Sequence, residues 1–179
     1  MNFNVVCQIV TAVAAFVGMG LGIYNFWMER SKQKVKILVQ PKAVMRRLRN
    51  PKTGAEGFMT SVNEFKKESV NEYFAIEAVN LSSFPVTIDI AGFELLKDKN
   101  RMMLVQPILM DDGPWPRRLD QRESVILYGL VTEILKDPRT PGIRNAFVET
   151  SCGNVCRGTS GALEEMVNYA AELQEKRAT

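Results

Sequence analysis

Apolar residues run almost without a break from Val5 to Met28, with only Gln8, Thr11 and Asn25 as clearly polar interruptions. As a helix rising about 1.5 Å per residue, the run measures roughly 36 Å, enough to cross a hydrocarbon core of about 30 Å with some tilt. A core helix of a small soluble domain would show a polar face, and here the polar residues fall near the ends. Tyr24, Phe26 and Trp27 stand beside the first charges, where an aromatic belt belongs. The pattern predicts one transmembrane helix within residues 1–30. A buried helix and a cleavable signal peptide are the competing readings. Ala12-Val13-Ala14 has the look of a cleavage site, but no positive leader precedes it and the apolar run continues past it.

Beyond the span the period changes to two. Val35, Ile37 and Val39 alternate with Lys36, Leu38 and Gln40, a strand starting almost at once, and Ala43, Met45 and Arg47 extend it past Pro41. RNPKTGAEGFMT is expected to be a loop. EYFAIEAVNL, at residues 72–81, is a second strand, and Val86, Ile88 and Ile90 resume the alternation before Gly92, read as a bulge or bend. Met102 to Ile108, Ser124 to Leu127 and Ile143 to Thr150 are three further candidates, separated by turn chemistry at DDGPWP and DPRTPG. Short strands at this spacing predict a mainly β, antiparallel sandwich over residues 31–158. The segment 159–179 reads as an amphipathic helix, capped by Ser160 or Gly161, whose stripe of Leu163, Val167, Ala170 and Leu173 is expected to pack on that sandwich.

Charge adds an orientation. Residues 1–28 carry no charged side chain, residues 29–52 hold nine Lys or Arg against the single Glu29, and the remainder holds fourteen against nineteen acids. Arg30, Lys32, Lys34 and Lys36 follow the span closely and no Lys or Arg precedes it, so the expected arrangement has the C-terminal domain in the cytoplasm. These four side chains are the expected lipid headgroup contacts, with Lys42, Arg46, Arg47, Arg49 and Lys52 continuing the basic band. Nucleic acid is the disfavoured partner, since no aromatic interleaving or recognised motif accompanies the cations. Ala14, Gly18 and Gly22 recur every four residues on one helix face, a small-residue stripe that suits a homodimer through the span.

The catalytic inventory is short. With no histidine in the chain, the commonest general base near neutral pH and the commonest metal ligand are missing. Cys7, Cys152 and Cys156 are an odd set, for which reduced thiols are the default. In CGNVC, Gly153-Asn154 suits a two-residue hairpin turn that would set Cys152 across from Val155 and Ser151 across from Cys156, with the thiols on opposite faces. Asp111-Asp112 has no further oxygen ligand at regular spacing to make a cation site, and Trp115 between prolines is a stiff aromatic, either a partner anchor or a cap on the sandwich edge. No nucleophile elbow, phosphate loop or dinucleotide fingerprint occurs, and neither a cofactor nor a metal is expected.

VNLSSFPVTIDIAGFEL followed by PWPRRLDQRESVILY resembles the strand, turn and strand pattern of immunoglobulin-like β-sandwich modules of bacterial envelope proteins. Asn80, Pro85, Val86, Thr87 and Ile88 match the first turn, and Leu119, Glu123 and Ser124 the second, where Gln121-Arg122 replaces Pro-Gly. The whole chain resembles uncharacterised small bacterial membrane proteins with one N-terminal span before such a sandwich. The resemblance implies an immunoglobulin-like fold and no particular activity. The functional expectation is a non-catalytic, membrane-tethered interaction or scaffold module with an unknown protein partner. A periplasm-facing envelope assembly subunit and a membrane-bound thiol or hydrolytic enzyme are the alternatives.

Overall fold

The structure, a computed structural model, describes residues 3–49, 56–96, 100–111 and 113–178. The chain divides after Lys34 into two compact units. The first is a single helix, α1 (Phe3–Lys32), 30 residues long. Its continuous apolar composition leaves no polar face, and every side chain from Thr11 to Arg30 is exposed.

The second unit is mainly β. Its strands are β1 (Ile37–Arg49), β2 (Glu56–Ser61), β3 (Asn71–Asn80), β4 (Val86–Leu95), β5 (Arg101–Met103), β6 (Arg117–Leu119), β7 (Ser124–Leu130), β8 (Ile143–Thr150) and β9 (Val155–Gly158). Two helices join them, α2 (Val131–Lys136) and α3 (Gly161–Ala178). All pairings are antiparallel, and they form two sheets: β2-β1-β3-β7, and β5-β4-β8-β9 with β6 also on β4. The order β1-β3-β7 against β4-β8-β9 is the A-B-E and C-F-G arrangement of an immunoglobulin-like sandwich. An isolated bridge from Ile108 to Tyr128 lies on β7 where that fold places strand D.

Alternation explains the core. Phe74, Ile76 and Leu127 from one sheet meet Ile88, Phe93 and Val148 from the other, all essentially inaccessible, with the rings of Phe74 and Phe93 6.0 Å apart. Helix α2 adds Val131, Ile134 and Leu135. Helix α3 starts where the Ser160 hydroxyl accepts the Leu163 amide at 3.2 Å, and it buries Ala162, Leu163, Met166 and Ala170 in the same core. Val167 and Leu173 are only half-buried, so the buried stripe is rotated from the expected one.

Several expected elements change. The stretch RNPKTGAEGFMT, read as a loop from its Gly, Pro and charge content, instead contributes Glu56 to Thr60 to the edge strand β2 (Glu56–Ser61) paired to β1, while residues 50–55 lie outside the described ones. The strand expected over 102–108 is limited to β5 and the Ile108 bridge. Gly92 is no bulge: it pairs in register with Met103 and Phe147, and the irregularities flank it. Glycine is required there because a Cβ would come within 2.0 Å of the Met102 carbonyl oxygen. Neither β6 nor α2 was evident from periodicity, since three and six residues are too few to show a period.

Candidate functional site

Thr11–Arg30 is long and apolar enough to cross a membrane. Ala14, Gly18 and Gly22 fall on one face of α1, and nothing lies within 4 Å of a Cβ built at Gly18 or Gly22, so that stripe is open. Arg30, Lys34 and Lys36 are exposed; Lys32 ends the helix, its side chain outside the described ones.

The fold breaks the basic band apart. Lys34 and Lys36 sit at the start of β1, whereas Arg46 lies nine positions along the strand from Ile37, roughly 30 Å at about 3.3 Å per residue. Lys42 is not free for headgroups, because its ammonium pairs with Glu77 at 2.6 Å and both side chains are more than four-fifths covered. The side chains of Arg46, Arg47 and Arg49, and all of Lys52, lie outside the described residues.

A buried hydrogen-bonded knot organises the end of the sandwich where β1 begins. Asn80, fully buried, donates through Nδ2 to the carbonyls of Phe84 at 2.9 Å and of Leu119 and Asp120 at 3.2 Å, while its Oδ1 accepts the Ser82 amide at 2.9 Å. The Ser82 hydroxyl in turn accepts the Lys36 amide at 2.8 Å, and the Leu81 amide donates to the Lys36 carbonyl at 2.8 Å. Asn80-Leu81-Ser82 has the spacing of a glycan acceptor, but the Asn80 amide is buried and committed to these hydrogen bonds. Arg122 takes the left-handed conformation, φ 64°, which glycine adopts most readily, and its amide donates to the Asn80 carbonyl at 2.9 Å. The turn forms without Pro-Gly because the knot holds it.

The hairpin between β8 and β9 corrects the expected register. Val148, not Ser151, stands across from Cys156, and the loop is Ser151-Cys152-Gly153, closed by the Thr150 amide to the Asn154 carbonyl at 3.0 Å. Gly153 supplies the positive φ, 78°, that a three-residue loop needs. Both thiols are free and they diverge: Cys156 turns inward against the core, and Cys152 is exposed at the tip. The Cys152 sulfur lies 3.1 Å from the Thr150 hydroxyl and 3.1 Å from the Asn154 amide nitrogen, and these hydrogen bonds pull its pKa below that of an ordinary thiol.

Trp115 is half-buried and packs against the core. Asp111 pairs with Arg117 at 2.7 Å, and Asp112 lies outside the described residues. Among the described residues no group of acidic or thiol side chains is gathered to hold a metal. A groove of about 590 Å³ opens between α3 and the segment before β3, lined among others by Lys66, Lys67, Lys176, Glu165 and Glu172. Glu165 is already engaged, accepting the Phe65 amide at 2.6 Å. On the outer face of the first sheet, Phe58, Tyr73 and Tyr128 form an aromatic cluster with centroids 6.2 to 6.5 Å apart. Burial, then the Glu77 carboxylate, raises the Tyr128 pKa. The outward positions in the alternation could have announced Tyr73 and Tyr128; Phe58, in an unrecognised strand, could not have been found.

The chain matches no protein-family model, no curated protein and no solved structure. Its fold and surfaces are the basis for a functional reading.

Proposed function

We propose that this protein is a membrane-tethered interaction module: a single-pass protein of a bacterial inner membrane that presents its β-sandwich to the cytoplasm and performs no catalysis. The observation that carries the reading is the uniform exposure of the apolar residues from Thr11 to Arg30, which burial in the chain's own core does not explain. Arg30, Lys32, Lys34 and Lys36 directly after the span support a cytoplasmic domain. The open stripe of Ala14, Gly18 and Gly22 supports pairing of two copies through the helix.

The test is direct. Full-length protein in membranes should resist extraction by alkaline carbonate, and a cytoplasm-restricted reporter fused to its C-terminus should be active. Release by carbonate removes the span, and activity only from an export-dependent reporter places the domain on the other side, in the envelope-assembly reading. Gly18→Ile with Gly22→Ile should weaken self-association in detergent or in a membrane reporter assay; unchanged association removes the dimer.

A further inference from the structure

We propose that the open edge of β7 at residues 124–126 accepts an extended segment of a partner protein as an added strand. The assignment rests on the interaction-module reading above and concerns the second unit alone.

The edge is open because its neighbour is cut short. The Tyr128 amide donates to the Ile108 carbonyl and the Ile108 amide to the Tyr128 carbonyl, both at 3.0 Å, so Tyr128 turns its backbone away from β3. Backbone groups alternate in direction along an antiparallel strand, and Ser124 and Ile126 therefore turn theirs the same way. Past Ile108 the chain leaves the strand path in a turn at Met110 and Asp111, and among the described residues nothing pairs with the outward amide and carbonyl of Ile126. An unpaired ladder position on a sheet edge is a template for another strand.

The space beside that edge specifies the occupant. A cleft of about 220 Å³ lies there, lined by Met110, Asp111, Ser124, Val125, Ile126 and Tyr128. The open stretch covers three residues, roughly 7 Å at about 3.3 Å per residue, and the Ile108 bridge closes one end of it. A single extended segment enters such a gap, whereas the edge of a second copy is flanked by the same bridge and turn. A residue paired with Ile126 sets its side chain on the outer face of the sheet, beside Ile126, Met110 and the nearly covered Tyr128. The Asp111 carboxylate in the lining is already taken by Arg117 at 2.7 Å. The residue opposite Ile126 is therefore uncharged and apolar, and the adaptable Met110 side chain, 42 % exposed, closes over it.

The experiment presents the full chain in detergent micelles to a phage-displayed library of linear heptapeptides and uses the selected sequences as synthetic peptides with blocked ends. Binding should slow hydrogen exchange of the Ile126 amide at least tenfold and leave that of Leu127, already in the ladder with β3, unchanged. N-methylation of the peptide at alternate residues, or Met110→Lys in the protein, should weaken binding at least tenfold. If Met110→Lys does not fold, Ser124→Pro, at the first position of the strand, removes an outward amide and should weaken binding likewise. Selection of no peptide, or binding that leaves Ile126 exchange unchanged, overturns the added strand. Exchange at Ile126 that slows with protein concentration alone assigns the edge to a second copy and overturns it too. Cross-linking in native membranes separates the two readings: a stoichiometric partner lost in Met110→Lys supports this site, one that survives moves the docking surface elsewhere and overturns it, and absence of any such partner overturns the interaction module itself.

Discussion

The guanidinium of Arg101 lies 4.6 Å from the centre of the Phe147 ring. Phe147 stands on the outward face of β8, out of register with the core positions Ala146 and Val148, yet it is fully buried. Its cover is ionic: Arg101 pairs with Glu149 at 2.7 Å and with Glu94 at 3.4 Å, and Arg157 grips Glu94 at 2.6 Å. A cation over an aromatic face, joined to a charge network, closes the outside of the second sheet without another layer of chain.

That network predicts acid sensitivity. The Arg157 hydrogen bond, and the charges of Arg157 and Arg101, hold the Glu94 pKa below its ordinary value despite partial burial. Asp137 is lowered in the same way, first by its hydrogen bond from Arg139. A carboxylate depressed in the folded state contributes stability above its unfolded pKa and loses it as pH falls through the folded value. Thermal unfolding should therefore hold steady from neutral pH down to about pH 5 and decline below about pH 4. Glu94→Gln should cost on the order of 1 kcal/mol at neutral pH and flatten the acid limb. An unchanged acid limb in that variant would assign the decline to other groups.

Asn80 should be the most sensitive polar position. Asn80→Ala removes the amide donor to the Phe84 and Leu119 carbonyls, and one of two donors to the Asp120 carbonyl, and should cost about 1 to 3 kcal/mol in urea unfolding. Asn80→Asp should cost more, since it sets a carboxylate against those oxygens. Equal stability of the Asp variant and the native protein would mean that the amide is not the donor.

Arg122 holds a left-handed backbone that glycine adopts freely. Arg122→Gly should therefore raise stability by up to about 1 kcal/mol, and Arg122→Val should lower it by at least as much. Denaturation midpoints of the two variants should bracket that of the native chain.

Cys152 should alkylate faster than Cys156 at neutral pH, because its pKa is lowered by the Thr150 and Asn154 hydrogen bonds and its side chain is exposed. Thr150→Val should slow Cys152 labelling several-fold without speeding that of Cys156. Mass spectrometry of partially labelled protein reads both rates at once.

The N-terminal apolar helix, the alternation of β1, β3, β4 and β8, and the cap of α3 were legible because each is local: a long apolar run, a period of two and a hydroxyl before an apolar stripe. The Asn80 motif was also visible, but its role was not. Its partners at Phe84, Leu119 and Asp120 lie up to 40 positions away, and only the pairing of β4 with β6 brings the second turn to the first. The hairpin register failed for a related reason. Gly153-Asn154 permits a two-residue turn, but Thr150 uses its backbone and its hydroxyl on Asn154 and so selects the three-residue loop.

By itself, the sequence determined which segments are apolar, which alternate and where a helix starts, because those properties are written in neighbouring residues. Tertiary structure alone decided that the basic band is split along a 13-residue strand, that Lys42 is spent on Glu77, and that Leu81 is held outward beside Lys36. The physical reason is that strand pairing joins positions distant in the chain, so whether a charge or an apolar side chain is free depends on what the other sheet strands bring beside it.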